Sequence, residues 1–210
     1  MSSSAISSRG SRSEVHAAPR RRGKLFVITG PSGVGKGTLI RRLQQDVPGI
    51  DLSVSATTRP PRDGERDGEH YHFMDPEEFD RRAAAGDFLE HADYASNRYG
   101  TLRSEVEPRL ARGDSVVLEI EVQGARQVSG TMPDAVLVFI APPSREALRE
   151  RLEGRGTDSP EQIARRLTVA DEELAAQREF AHEIVNDDVD RAAGELATLV
   201  RSELGPPQDG

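Results

Sequence analysis

Nine consecutive residues, Gly30-Pro31-Ser32-Gly33-Val34-Gly35-Lys36-Gly37-Thr38, limit the folds open to this chain more than any other stretch. They follow an apolar run, Leu25–Thr29, and lead into a helical pattern over Thr38–Val47 that Pro48 ends. Strand, glycine loop and helix, in that order, form the context in which such a loop cradles phosphate. The glycines let backbone N–H groups converge on phosphate oxygens, and the helix N-terminus adds its positive dipole end. Lys36 supplies a mobile charge for the outer phosphates. The strict pattern places a Ser or Thr directly after the lysine. Here Gly37 occupies that position and Thr38 comes one residue late. Thr38 is therefore the candidate Mg²⁺ ligand, either directly or through water.

Composition sharpens the importance of that lysine. The chain has 28 Lys and Arg against 36 Asp and Glu, and only Lys24 and Lys36 are lysines. Residues 1–24 carry a net +5, which leaves the rest at −13. A body this acidic is not built for general nucleic-acid binding, so an anionic ligand needs a local cluster of cations. With 210 residues, one or at most two domains are expected. The absence of cysteine excludes disulfides, thiolate metal sites and a Cys nucleophile. The longest clear apolar run, Ala135–Ala141, is far short of the roughly 20 residues of a membrane span. The expectation is a cytoplasmic protein.

Residues 1–22, rich in Ser and Arg, carry no apolar periodicity and read as a disordered tail. A twin-arginine signal would need a longer apolar run after Arg20–Arg22, and a transit peptide is the remaining alternative to a plain tail. Residues 205–210 read as a second flexible end. Between them, strands are expected at Asp51–Ser55, His70–Phe73, Phe88–Tyr94, Ser115–Ile120, Ala135–Ala141 and Ile184–Asn186. Helices are expected from Asp75 to Gly86, over Thr101–Arg112 with a kink at Pro108, and over Ser144–Glu153, Ser159–His182 and Val189–Leu204. This alternation predicts an α/β fold with a parallel sheet core, and residues 51–101 read as an insertion with its own small sheet.

Four further clusters bear on chemistry. Arg59 and Arg62, fixed in a Pro- and Gly-rich loop, can converge on one phosphate with Tyr71 nearby, although a solvated loop explains the spacing equally well. Glu90 precedes Tyr99-Gly100-Thr101. A lone glutamate at a strand end is usually a surface residue, but one facing a nucleotide pocket accepts two hydrogen bonds from guanine N1–H and its N2 amino group, a donor pair adenine lacks. Glu119 and Glu121 end an apolar strand, where either a site or plain solvent can lie. Arg151 and Arg155 are four apart, with glycines on both sides of Arg155 and Arg166 further on, as in a lid that closes over phosphates or in an ordinary arginine-bearing helix.

Taken together, these motifs resemble the guanylate kinases over about residues 24–204. The features carrying the resemblance are Gly30–Thr38, Ser53 to Glu65, Tyr71-x-Phe73, Phe88-Leu89-Glu90, Tyr99-Gly100-Thr101, Leu118 to Gly124, Pro142-Pro143-Ser144, Arg151–Ser159 and Ile184-Val185-Asn186. The resemblance implies a P-loop nucleoside-monophosphate-kinase fold: a core over 24–50 and 102–204, a lid at about 145–170 and a GMP-binding region at 51–101. It implies transfer of a phosphoryl group from ATP to GMP with Mg²⁺ as cofactor, serving GMP recycling in purine metabolism, with no nucleic-acid or membrane partner. Gly30, Pro31, Ser32, Gly33, Val34, Gly35, Lys36, Gly37, Thr38 and Asn186 would bind ATP. Ser55, Arg59, Arg62, Tyr71, Glu90, Tyr99, Thr101 and Glu121 would bind GMP, with Glu121 standing where the family often has Asp. Lys36, Arg151, Arg155 and Arg166 would be catalytic. Two alternatives are a scaffold module of the same family that has lost its phosphate loop, and a related kinase with another acceptor such as a ribosyl phosphate. The intact loop and arginines argue against the first, Glu90 and the acceptor-loop arginines against the second.

Overall fold

The computed structural model describes residues 22–94, 96–154, 156 and 159–206. Its centre is β1 (Leu25–Thr29), in which all five residues are buried. Side chains alternate along a strand, so a fully buried strand needs cover on both faces. Phe26 and Ile28 pack into one cluster with Leu39, Leu43, Leu148 and Leu196, while Leu25 and Val27 pack into another with Val106, Leu110, Val128 and Phe139. These clusters are the two sides of a five-stranded parallel sheet.

In chain order, β1 is followed by α1 (Lys36–Asp46), β2 (Ile50–Leu52), β3 (Ala56–Thr57), β4 (His72–Phe73), α2 (Pro76–Ala85), β5 (Phe88–Tyr94) and β6 (Asn97–Leu102). Then come α3 (Arg103–Arg112), β7 (Ser115–Glu119), α4 (Val122–Thr131), β8 (Val136–Ala141), α5 (Arg145–Glu153), α6 (Pro160–Ala175), β9 (His182–Val185) and α7 (Val189–Leu204). The core sheet runs β2-β7-β1-β8-β9, and a mixed sheet runs β4-β3-β6-β5. The small sheet lies against α4, where the Gln127 side chain bonds both the N–H and the carbonyl of His91.

Several elements differ from the sequence reading. Asp51–Ser55 is not one strand: β2 ends at Leu52 in the core sheet, and the next strand begins at Ala56 in the small one. Thr101 lies in β6 rather than in a helix, because Tyr99 and Gly100 pair across to β3. The helix from Ser159 stops at Ala175. Phe180 then packs on Phe139, with ring centroids 5.4 Å apart, and His182 starts a strand beside β8. α4 was not foreseen, since Gly124 and Gly130 weaken its helical pattern. Helix α3 continues past Pro108 to Arg112. The anticipated caps at Asp75 and Ser159 are present, each accepting from the backbone N–H three residues on.

Candidate active site

The loop after β1 emerges at the C-terminal edge of the core sheet, where parallel α/β folds place their ligands. Its geometry starts with Gly35, the residue before α1, whose φ of 103° is left-handed and favours glycine. Helices α2, α5, α6 and α7 are each capped by an Asp or Ser side chain, whereas α3, α4 and, behind the glycine loop, α1 have no side-chain cap. The first N–H groups of α1 therefore face the loop without a protein anion, the arrangement of a phosphate site.

The loop is braced from behind. The Asn186 side-chain amide donates to the Val34 carbonyl at 2.8 Å. Arg151 donates to the same carbonyl at 3.2 Å and to the Asn186 carbonyl at 2.7 Å. Lys36 is buried, and its ammonium is folded onto the loop's own carbonyls, at 2.5 Å from Gly30 O and 3.4 Å from Pro31 O.

A cavity of about 510 Å³ opens in front of the loop. Pro31–Gly33 and Gly35–Thr38 form one end, and Ser55, Tyr71, Glu90 and Tyr99 the other. Arg41 and Glu119 also line the cavity, both beside Gly37. At the far end Glu90 is only 5% exposed and accepts from the Thr101 hydroxyl at 2.7 Å. Burial pushes its carboxyl up to about 7; the bonds from Thr101 oppose this and nearby Glu121 adds to it. Gly124 makes room for this group, since a Cβ there would stand 2.4 Å from Glu90 Oε2. The buried Ser53 hydroxyl and Glu121 Oε2, both of residues lining this cavity, have no hydrogen-bond partner among the described residues. A ligand with several N–H donors matches this set.

Arg59 lies beside the cavity, 5.3 Å over the Tyr71 ring, and bonds both Glu65 oxygens at 2.8 and 2.9 Å. That pairing, together with the Arg62 backbone N–H, holds Glu65 down at about 2. Tyr71 and Tyr99 meet edge to face at 6.1 Å. Arg62, Arg151 and Arg166 do not line the cavity: Arg62 is on the exposed loop, Arg151 braces the phosphate loop, and Arg166 is half-buried on α6. Arg155 lies outside the described residues, as does the N-terminal segment up to residue 21.

Sequence reading missed Arg41, His70 and Glu173. Arg41 and His70 line the cavity. Glu173 is buried on α6, near the Glu121 carboxyl and the Ser32 N–H. Burial and Glu121 together push its carboxyl up to about 9. Its signal was available: Leu167, Ala170 and Glu173 recur at helical spacing, which puts an acid on an apolar stripe. Among the described residues no cluster of three metal-ligating side chains occurs, and no helix is long and apolar enough to cross a membrane.

Residues 22–203 match the family described as guanylate kinase. The guanylate kinase of Thermobifida fusca is 55% identical over 177 residues, covering 84% of this chain and 90% of the relative. That of a Synechococcus strain is 56% identical over 176 residues, covering 84% and 94%. The crystal structure of guanylate kinase from Anaplasma phagocytophilum superposes with a TM-score of 0.72 at 33% identity and covers 88% of each chain.

Proposed function

The chain belongs to the guanylate kinase family and phosphorylates GMP to GDP at the expense of ATP; we propose that it does so in the cavity between the phosphate loop and Glu90, in the cytoplasm and within purine nucleotide recycling. The observation that carries this assignment is the pairing of the two ends. An uncapped helix behind a glycine loop faces, across one cavity, a buried carboxyl held by Thr101.

In this reading Gly30–Thr38 wrap the ATP phosphates, with Lys36 swinging from the Gly30 carbonyl onto them. Asn186 and Arg151 keep the loop in shape. Glu90, as a carboxylate, accepts from guanine N1–H and N2–H, while Thr101 fixes its orientation and Ser55 and Glu121 complete the base pocket. Tyr71, Tyr99, Arg59 and Arg62 hold the GMP phosphate. Arg59 must exchange Glu65 for it, trading one bidentate anion for another. Arg155 and Arg166 close on the transferring group as part of a lid over about 145–170. The structural division proposed is a core of 24–50 and 102–204 around a GMP-binding region at 51–101.

Mg²⁺ is the proposed cofactor. The site residues fit it: Thr38 in the first turn of α1 offers a hydroxyl and Glu119, 3.4 Å from where a Cβ at the adjacent Gly37 would stand, a carboxylate, both hard oxygen donors lining the cavity. Thr38 would hold the ion, directly or through water, and the ion would neutralise charge on the ATP phosphates. The GMP phosphate is already a nucleophile, so the protein needs to align it and stabilise charge rather than remove a proton. The test is ATP consumption with GMP, AMP, UMP and ribose phosphates side by side. Turnover confined to GMP is expected; equal turnover of AMP would overturn the base pocket.

A further inference from the structure

Gly37 leaves a gap in the loop helix, and the residue one turn later faces it. Side chains on a helix lean toward its N-terminus, so residue 41 covers residue 37. A Cβ at Gly37 would stand 3.7 Å from Arg41 Nη1 on one side and 3.4 Å from Glu119 Oε2 on the other. Arg41 Nη2 donates to the Thr38 hydroxyl at 3.2 Å. Among the described residues Arg41 has no ion pair, whereas its neighbour Arg42 is bound to Asp190 of α7 at 3.0 Å. Arg41 also lines the cavity, next to Gly37 and Thr38 of the phosphate loop.

We propose that Arg41 is a further catalytic residue of this chain, a guanidinium that contacts the ATP phosphates through the room Gly37 leaves. This rests on the phosphate-loop assignment above. A guanidinium has five N–H donors, so the single bond to Thr38 leaves several for phosphate oxygens. When the Thr38 hydroxyl turns to the metal side, Arg41 is released entirely. The charge count favours the exchange. In the free protein Arg41 faces a neutral hydroxyl and, further off, the Glu119 carboxylate that Lys36 also attracts. A triphosphate provides more negative charge at closer range. Arg41 thus adds a fixed positive charge beside a loop that lacks the hydroxyl normally placed after its lysine.

The experiment compares Arg41→Ala, Arg42→Ala and Gly37→Ser/Arg41→Ala with the unmodified chain. It measures ATP affinity by calorimetry without divalent metal, and turnover with Mg²⁺ and GMP. Removing Arg41 is expected to weaken metal-free ATP binding by about tenfold and to lower kcat by on the order of 10², with an unchanged melting temperature. Arg42→Ala should match the unmodified chain in both. The serine variant should regain part of the turnover, by restoring a hydroxyl after Lys36, but not the metal-free affinity. The proposal is overturned if Arg41→Ala retains both properties, if Arg42→Ala loses as much, or if the added serine restores nothing. Failure of the underlying assignment looks different, because then the unmodified chain itself fails to bind ATP or to use GMP.

Discussion

The side-chain amide of Asn186 reaches the carbonyl of Val34 across 152 residues of sequence, tying the end of the last sheet strand to the middle of the phosphate loop. Arg151 shares that carbonyl, so the loop keeps one partner if the other is removed. Asn186→Ala therefore loosens the loop without unfolding the protein. A hydrogen bond of this kind contributes about 1 kcal/mol, so a several-fold rise in KM for ATP is expected. KM for GMP should not move. Steady-state kinetics with each substrate varied in turn checks this, and a matching rise for GMP would count against a local role.

Lys36→Ala should lower turnover by on the order of 10³ while GMP binding survives, because the acceptor end of the cavity is built from other elements. Calorimetric titration with GMP beside a turnover assay separates the two. Normal turnover would exclude the phosphate-loop mechanism.

Glu90 makes recognition and stability oppose each other. Its carboxyl, ordinarily at 4.5, is raised to about 7 by burial. A group raised on folding contributes its full stability below the unfolded value and loses it as pH rises through the folded one. The free protein is thus destabilised between pH 4.5 and about 7, by roughly 3 kcal/mol once the group is ionised. Glu90→Gln keeps the Thr101 bond and escapes that penalty, so it should melt roughly 5 °C or more higher at pH 8. The same variant should use GMP at least tenfold less well, since it lacks the anion that guanine needs. In the unmodified protein, KM for GMP should rise as pH falls below 7. Gly124→Ala should produce the GMP defect alone, by displacing the carboxyl.

Glu173 and Glu121 bring two carboxyls together in a buried place, where both cannot easily be charged. A proton on Glu173 relieves its repulsion with Glu121 and lets α6 pack against the loop. Since the Glu173 carboxyl is raised to about 9, its contribution to stability declines as pH rises from about 4.5 and is gone above about 9. Glu173→Gln imitates the protonated form and should flatten the loss of stability on the alkaline side. Melting curves from pH 6 to 10 would show this, and parallel curves for the two proteins would exclude a raised Glu173.

The sequence made the core sheet and the phosphate loop legible because each rests on local pattern: four apolar residues and a threonine, then glycines, then a helix. The caps at Asp75 and Ser159 were equally plain, being set within three residues. What escaped reading depends on partners far along the chain. Nothing near Ser53 reveals that the strand before it joins β7 while the one after it joins β6. The acid at Glu173 becomes informative only once α6 lies against Ser32 and Glu121. Arg41 was hidden by composition, one arginine among many, and only its position over Gly37 sets it apart.

The central place of β1 also has a consequence for how the protein is made. Phe26 pairs with Val117 on one side and Val136 on the other. The strand bearing the phosphate loop thus leaves the ribosome long before either neighbour exists. At about 5–20 residues per second, the chain needs roughly 5–20 s to supply them. During that wait Leu25–Thr29 is an unpaired, mostly apolar segment of the kind that aggregates. Arg20, Arg21, Arg22 and Lys24 stand immediately before it. Positive charges at that position repel other nascent chains and act as gatekeepers until the sheet can close.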